Sequence, residues 1–149
     1  MKFGDTFLST LHARYMRPAD FKKKNSTFSR SRSGYQEHYN VQGSAWNSTG
    51  GAWRFYINCA ISFPDIPVLR PDSGMWKYHA HTRLRKLVPV APDEFDVTEI
   101  NQEAVLTQLS GMIESCADYF ARRNQILRES YLIQHYEGGF PYDPEIKRG

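Results

Sequence analysis

Neutral side chains that form hydrogen bonds recur at alternate positions between residues 36 and 44. They are Gln36, His38, Asn40, Gln42 and Ser44. Alternate side chains of a strand share one face, so this spacing predicts one polar face on a strand. Tyr56 and Asn58 of a neighbouring predicted strand should extend it. Because buried polar groups need partners, this face either lines a ligand groove or protein interface, or simply meets solvent.

Aromatic and basic residues are predicted around this polar face. We expect Trp46, Trp53 and Tyr56 to lie at its rim, and Tyr, Trp and Arg dominate the energetics of protein interfaces. The predicted ligand or partner surface comprises His38, Asn40, Gln42, Ser44, Trp46, Tyr56, Asn58, His81 and Arg83.

Two histidines, His79 and His81, are spaced for one face of a strand, about 7 Å apart. Such a pair binds a metal ion when a third ligand approaches, and His38 is the obvious third residue. No cysteine or carboxylate motif supports this reading. Histidines that are solvated or hydrogen-bonded fit the sequence better, so we predict no metal and no cofactor.

The sequence contains no recognisable catalytic motif. Gly-x-Ser-x-Gly, Gly-x-Gly-x-x-Gly and phosphate-loop patterns are all missing, so we assign no catalytic residue. Nucleic-acid binding is a weaker alternative, since 19 basic residues are nearly balanced by 16 acidic ones. The basic side chains that could support it are Lys22, Lys23, Lys24, Arg30, Arg32, Arg83, Arg85 and Lys86.

The surrounding pattern predicts an α+β fold. Phe3, Phe7, Leu11 and Tyr15 indicate an N-terminal helix, and apolar alternation over 53–63 indicates a half-buried strand. Further strands are predicted at 27–32, 35–46 and 75–88, with a Ser33–Gly34 hairpin turn. Helical periodicity follows over 100–134, after a cap at 96–98. We therefore expect an antiparallel sheet of about four to five strands, with the N-terminal helix and C-terminal helices packed on one face.

The length and composition predict one soluble domain. We place it at residues 1–137, with a loosely ordered tail at 138–149 after Gly138–Gly139. Cys59 and Cys116 occupy apolar positions and are expected to be buried free thiols, although a disulfide stays open. No apolar run approaches the ~18 residues that span a bilayer. The start of the chain also lacks a signal-peptide pattern, so we expect a cytoplasmic protein without membrane contact.

Several short motifs resemble a bacterial family known only as domain of unknown function 4304. The matching segments are Phe21-Lys22-Lys23-Lys24 with Phe28 and Arg30, residues 39–44, the Ser/Gly-rich stretch 47–51, residues 53–58 and residues 81–84. Asn40, Gln42, Ser44, Asn58 and Arg83 match polar positions of the family motifs. The resemblance implies an antiparallel sheet packed by helices, and it supplies no activity and no catalytic residue.

The leading functional hypothesis is a non-enzymatic bacterial protein-binding domain. Its sharpest version is an immunity protein that neutralises a cognate toxin, and this version follows from the general type of protein. One alternative is a ligand-binding domain or enzyme that uses the polar face with His38, His79 and His81. The other is weak nucleic-acid binding. The oligomeric state is left open.

Overall fold

The computed structural model describes residues 3–44, 52–68, 78–134 and 143–146. The first helix is followed by a π-helical turn at His12–Met16 and a 3-10 turn at Arg17–Ala19. The helices are α1 (Phe3–Leu11), α2 (Leu84–Leu87) and α3 (Gln102–Gln134). The strands are β1 (Lys22–Lys24), β2 (Thr27–Ser31), β3 (Gln36–Gly43), β4 (Trp53–Ser62), β5 (Ala80–Arg83) and β6 (Phe95–Val97).

The strands form one antiparallel sheet, which confirms the predicted α+β class. The order is β1-β2-β3-β4-β5, and β6 pairs with the start of β4. Within the described ranges the sheet has six strands, against the four to five expected, because β1 and β6 each contain three residues. Segments that short carry too little alternation to indicate a strand. The Ser33–Gly34 turn joins β2 to β3 as predicted, with Gly34 at a φ of 85°.

One face of the sheet packs against α1 and α3. Phe7 of α1 contacts Phe55 of β4 with ring centroids 5.6 Å apart, and Tyr39 of β3 contacts Phe120 of α3 at 6.5 Å. Phe28 lies directly across from Tyr39 and is also fully buried. These contacts place both long helices on the same side, as the sequence predicts.

Two predicted boundaries need correction. The predicted strand 75–88 is shorter, since β5 ends at Arg83 and Leu84 begins the short helix α2. Leu84 is buried in the core, and this burial favours the change from strand to helix after Arg83. Residues 75–77 lie outside the described residues. The predicted helix cap at 96–98 lies partly within β6, which ends at Val97. Nearer the start of α3, the side-chain oxygen of Asn101 accepts a hydrogen bond from the Thr98 N–H at 2.7 Å.

Part of the predicted loose tail is docked on α3. Asp143 is buried and accepts hydrogen bonds from the Tyr119 hydroxyl at 2.6 Å and from Arg123. Ile146 packs against the core. The helix stop predicted at Gly138–Gly139 lies outside the described residues, whereas the acidic Asp143 and the apolar Ile146 explain why their segment contacts the folded domain.

Candidate functional site

The face of the sheet opposite the helices is polar. Its strand residues align in rows, and one row contains Thr27, Asn40, Asn58 and Arg83. The next row contains Ser29, His38, Ala60 and His81, and a third contains Ser31, Gln36 and Ser62. The structure therefore brings together His38, Asn40, Asn58, His81 and Arg83 from the predicted surface. We call these three rows, together with Gln42 and Tyr56, the polar face.

Three amide side chains hold one another at the centre of the polar face. The Asn58 amide donates to the side-chain oxygens of Asn40 and Gln42, each at 3.1 Å. Asn40 in turn donates to the Thr27 hydroxyl at 3.0 Å. Asn58 is buried, whereas Gln42 is exposed. Because each amide is held by a neighbour, the protein itself fixes the pattern of donors and acceptors at this place.

His38 is held equally firmly. Its Nδ1 forms a hydrogen bond with Ser29 at 2.7 Å, and its Nε2 forms one with Ser62 at 2.8 Å. The Tyr78 ring stacks on the imidazole with centroids 4.3 Å apart. A general base is normally oriented by a carboxylate or carbonyl, and here both nitrogens face hydroxyl groups. The arrangement fits a positioned polar side chain better than a catalytic base.

Arg83 and Tyr56 form a stacked pair at the edge of the polar face. The guanidinium lies 3.7 Å from the centre of the Tyr56 ring, a favourable cation–π distance. Arg83 is exposed and Tyr56 is half-buried. Within the described part of the chain, Arg83 forms no ion pair with a carboxylate.

His79 does not lie beside His81, which corrects the predicted histidine pair. Strand β5 begins only at Ala80, so the alternation does not extend back to His79. The His79 Nδ1 accepts from the Phe63 N–H at 3.0 Å, and its Nε2 donates to the Ile66 carbonyl at 2.7 Å. Its ring packs edge-on against Tyr131 of α3.

The two histidines share one electrostatic property. Burial lowers the pKa of His79 and the pKa of His81 below the ordinary value for histidine. His81 lies across from Ala60 on the polar face. Among the residues that the structure describes, no three His, Cys, Asp or Glu side chains are grouped to bind a metal ion.

Ser44, another residue of the predicted surface, lies directly after β3. The Ser44 N–H donates to the Arg54 carbonyl at 2.9 Å and extends the pairing of β3 with β4. Trp46 lies outside the described residues. The expected place of Trp53 at the rim of the polar face is wrong. Its position in β4 puts it on the face opposite Tyr56, where its ring packs against Phe7 and Phe55.

Sequence reasoning missed a buried ion pair on the opposite face. Glu37 has no exposed surface and accepts two hydrogen bonds from Arg30, at 3.1 and 3.2 Å. Arg32 and the Tyr39 hydroxyl also donate to it, at 2.9 and 2.7 Å. The hydrogen bond to Glu37 is the main reason that the pKa of Arg32 is raised. Glu37 lies between the buried residues Tyr35 and Tyr39 at alternate positions, and the hairpin places Arg30 directly across from it. An acidic residue on a buried aromatic face, with an arginine opposite, indicates a buried ion pair.

Cys59 and Cys116 are free and buried, as expected. Burial raises the pKa of the Cys59 thiol, and its hydrogen bond with Cys116 raises it further. Both features suppress the thiolate form of Cys59, and the two side chains pack in the core.

Comparison with known proteins gives one match. A family model described as a domain of unknown function (DUF4304) matches residues 13–123. This span contains every strand described above and most of α3. No curated protein and no solved structure matches the chain. Separately, none of the described helices is long and apolar enough to cross a membrane.

Proposed function

This chain belongs to the DUF4304 family of domains of unknown function, and from that premise we propose that it is a non-enzymatic protein-binding domain. The partner docks on the polar face. The observation that carries the proposal is the chain of hydrogen bonds through Thr27, Asn40, Asn58 and Gln42. A preorganised surface loses little side-chain entropy on binding, which favours its use as an interface.

The composition of the polar face also supports binding over plain solvation. A sheet face that only meets solvent commonly carries long charged side chains. The centre of the polar face instead consists of neutral amide and hydroxyl groups. Asn58 and His38 are buried, and the side chains of both form hydrogen bonds with neighbours on the same face. Arg83 and Tyr56 add an arginine and an aromatic side chain at the edge, and both types are enriched where binding energy concentrates.

The sharper form of the proposal is an immunity protein of the bacterial cytoplasm that covers a toxin made by the same cell. Its support is general: the chain is small, it belongs to a family without known activity, and no catalytic arrangement stands out among the described residues. The alternative of an enzyme that uses His38, His79 and His81 is less well supported, because His79 is engaged on the helical side.

The polar face can be blocked by one bulky substitution. Gln42→Trp places a large ring over the amide cluster and removes the acceptor for Asn58. We expect it to weaken binding to the product of an adjacent toxin-like gene by about 10-fold or more. Co-purification and survival of cells that express the toxin measure the effect.

Gln108→Trp is the matched control, since Gln108 is an exposed residue on α3. This variant should bind and protect like the wild type, and both variants should keep the wild-type circular dichroism spectrum. A wild-type protein that runs alone and protects no cell would refute the immunity role. Equal binding by both Trp variants would refute the polar face as the interface.

A further inference from the structure

Cationic side chains lie at both ends of one row of the sheet. Lys24 of β1 lies across from Thr27, and the row continues through Asn40 and Asn58 to Arg83 of β5. Four inter-strand spacings of about 4.8 Å separate the ends, which gives about 19 Å. Lys22 lies in the next row, across from Ser29, and all three cationic side chains are exposed.

Within the part of the chain that the structure describes, no nearby acid compensates these charges. Elsewhere on the surface, arginine side chains pair with carboxylates, as in Arg14–Glu103 and Arg128–Asp65. Lys22, Lys24 and Arg83 form no ion pair with any carboxylate in the described ranges.

The strand residues of this face include one described acid, and it is already engaged. Asp96 of β6 lies across from Arg54, and their side chains are 3.8 Å apart. On the described strands, the face that carries the amide cluster therefore has a cationic side chain at each edge and a neutral centre. Opposite charge on a partner would steer its approach and set its orientation.

We propose that the partner presents an acidic protein surface whose carboxylates meet Lys22, Lys24 and Arg83. This inference rests on the proposed protein-binding function and names the partner's chemistry. The stacked Arg83 keeps its guanidinium edge available, and that edge matches a carboxylate with two parallel hydrogen bonds. The neutral amides between the cations then meet polar groups at the centre of the contact.

The aromatic rings favour a protein over a nucleic acid. Single-stranded nucleic acids bind by stacking bases on free aromatic rings along a basic groove. On this face, one side of the Tyr56 ring is covered by Arg83, and Tyr78 is buried against His38. The described aromatic rings are thus already stacked on protein groups. An acidic partner also disfavours a nuclease toxin, whose basic cleft would be repelled by Lys22, Lys24 and Arg83.

A defined peptide tests the inference directly. The probes are a ten-residue glutamate-rich peptide, a serine- and glutamine-rich peptide of equal length and a ten-nucleotide oligothymidylate. Each is titrated into ¹⁵N-labelled protein at about 50 mM salt, where exposed charges are weakly screened. We expect the acidic peptide to shift amide signals of β1, β3 and β5, and the neutral peptide to leave them in place.

Neighbouring lysines of β1 provide the matched variants. Lys24→Glu and Arg83→Gln should each weaken binding of the acidic peptide at least about 5-fold, because each removes a cation from the face. Lys23→Glu changes the net charge as Lys24→Glu does, but Lys23 alternates with Lys24 and aligns with Phe28 on the other side of the sheet. It should retain most of the wild-type affinity. Unchanged circular dichroism spectra and melting temperatures show that each variant is folded.

Three results would overturn the inference. They are tighter binding of oligothymidylate on the same face, equal losses in the two lysine variants, and no binding of the acidic peptide. The proposed function is judged separately with the cognate partner. If Gln42→Trp abolishes that complex while Lys24→Glu and Arg83→Gln leave it intact, the polar face is the interface but charge does not select the partner.

Discussion

Glu37 shows how a fully buried carboxyl side chain can be given a complete set of hydrogen-bond donors. Its carboxylate accepts hydrogen bonds from Arg30, Arg32 and Tyr39, so each oxygen has a donor. Arg30 is itself buried, lies over the Phe21 ring and donates to the Ala19 carbonyl. This cluster connects the β2–β3 hairpin to the turn before β1. Burying an ion pair costs desolvation free energy, and a complete set of partners is needed to offset it.

We expect Glu37→Gln to lower the free energy of unfolding by about 3–5 kcal/mol, because the buried Arg30 loses its counter-charge. Urea denaturation at pH 7 measures the change. Glu103→Gln is the control: it breaks the exposed Arg14–Glu103 pair, and water replaces that interaction at little cost. A Glu37→Gln variant as stable as the control would contradict this account of the core.

At the level of elements, α1 approaches β4 closely at one point. A Cβ atom added at Gly4 would lie 2.6 Å from Cε2 of the Trp53 ring. That ring is held between Phe7 and Phe55, with centroids 6.0 and 4.9 Å away. Glycine at this position therefore sets the distance between the helix and the sheet, although glycine is unfavourable inside a helix.

Two glycine substitutions should have opposite effects. Gly4→Ala is expected to destabilise the protein by about 1–3 kcal/mol, since the clash with Trp53 exceeds the gain in helix propensity. Gly111→Ala in α3 meets no atom within 4 Å and should stabilise it by about 0.5–1 kcal/mol. Thermal and urea unfolding of both variants measure the difference, and shifts of the same sign would contradict the close-packing argument.

Across the whole molecule, the residues near the C-terminus are linked to α3 by a buried carboxylate. Asp143 accepts hydrogen bonds from Tyr119, Arg123 and the Glu145 N–H. Burial by itself raises the pKa of Asp143, but the hydrogen bonds from Arg123 and Tyr119 outweigh it, so the pKa lies below its ordinary value. Burial, and then the hydrogen bond to Asp143, raises the pKa of Tyr119.

This carboxylate makes stability depend on pH. Because the folded-state pKa of Asp143 is lower than the unfolded value of about 3.9, its stabilisation is fully present above that value and is lost as pH falls through the folded pKa. Asp143→Asn should therefore cost up to about 3 kcal/mol at pH 7, and local undocking of the segment limits the loss. The difference from the wild type should shrink below about pH 4.

Urea unfolding of both proteins at pH 7, 5, 4 and 3 measures this dependence. Asp118→Asn, a substitution at an exposed position of α3, controls for the loss of one negative charge. A deficit in Asp143→Asn that stays constant from pH 7 to 3 would show that the carboxylate charge is not what holds the segment.

Much of the architecture is readable from the sequence because side-chain alternation is a local property. The pattern from Gln36 to Ser44 predicts one polar face, and β3 and β4 present Asn40 and Asn58 side by side on it. The periodicity of α3 and the Ser33–Gly34 turn are likewise encoded in neighbouring residues. The motifs that resemble the DUF4304 family lie within the span that its model matches.

Other features depend on which distant segments meet. His79 and His81 differ because β5 begins between them, and the contacts of His79 with Phe63 and Tyr131 come from remote parts of the chain. Likewise, Asp143 is buried only because Tyr119 and Arg123 lie where the returning chain docks. The sequence by itself determined the secondary-structure periods and the polar face, since these follow from local spacing. Only the tertiary structure decided which charges are paired, because pairing depends on register and on long-range packing.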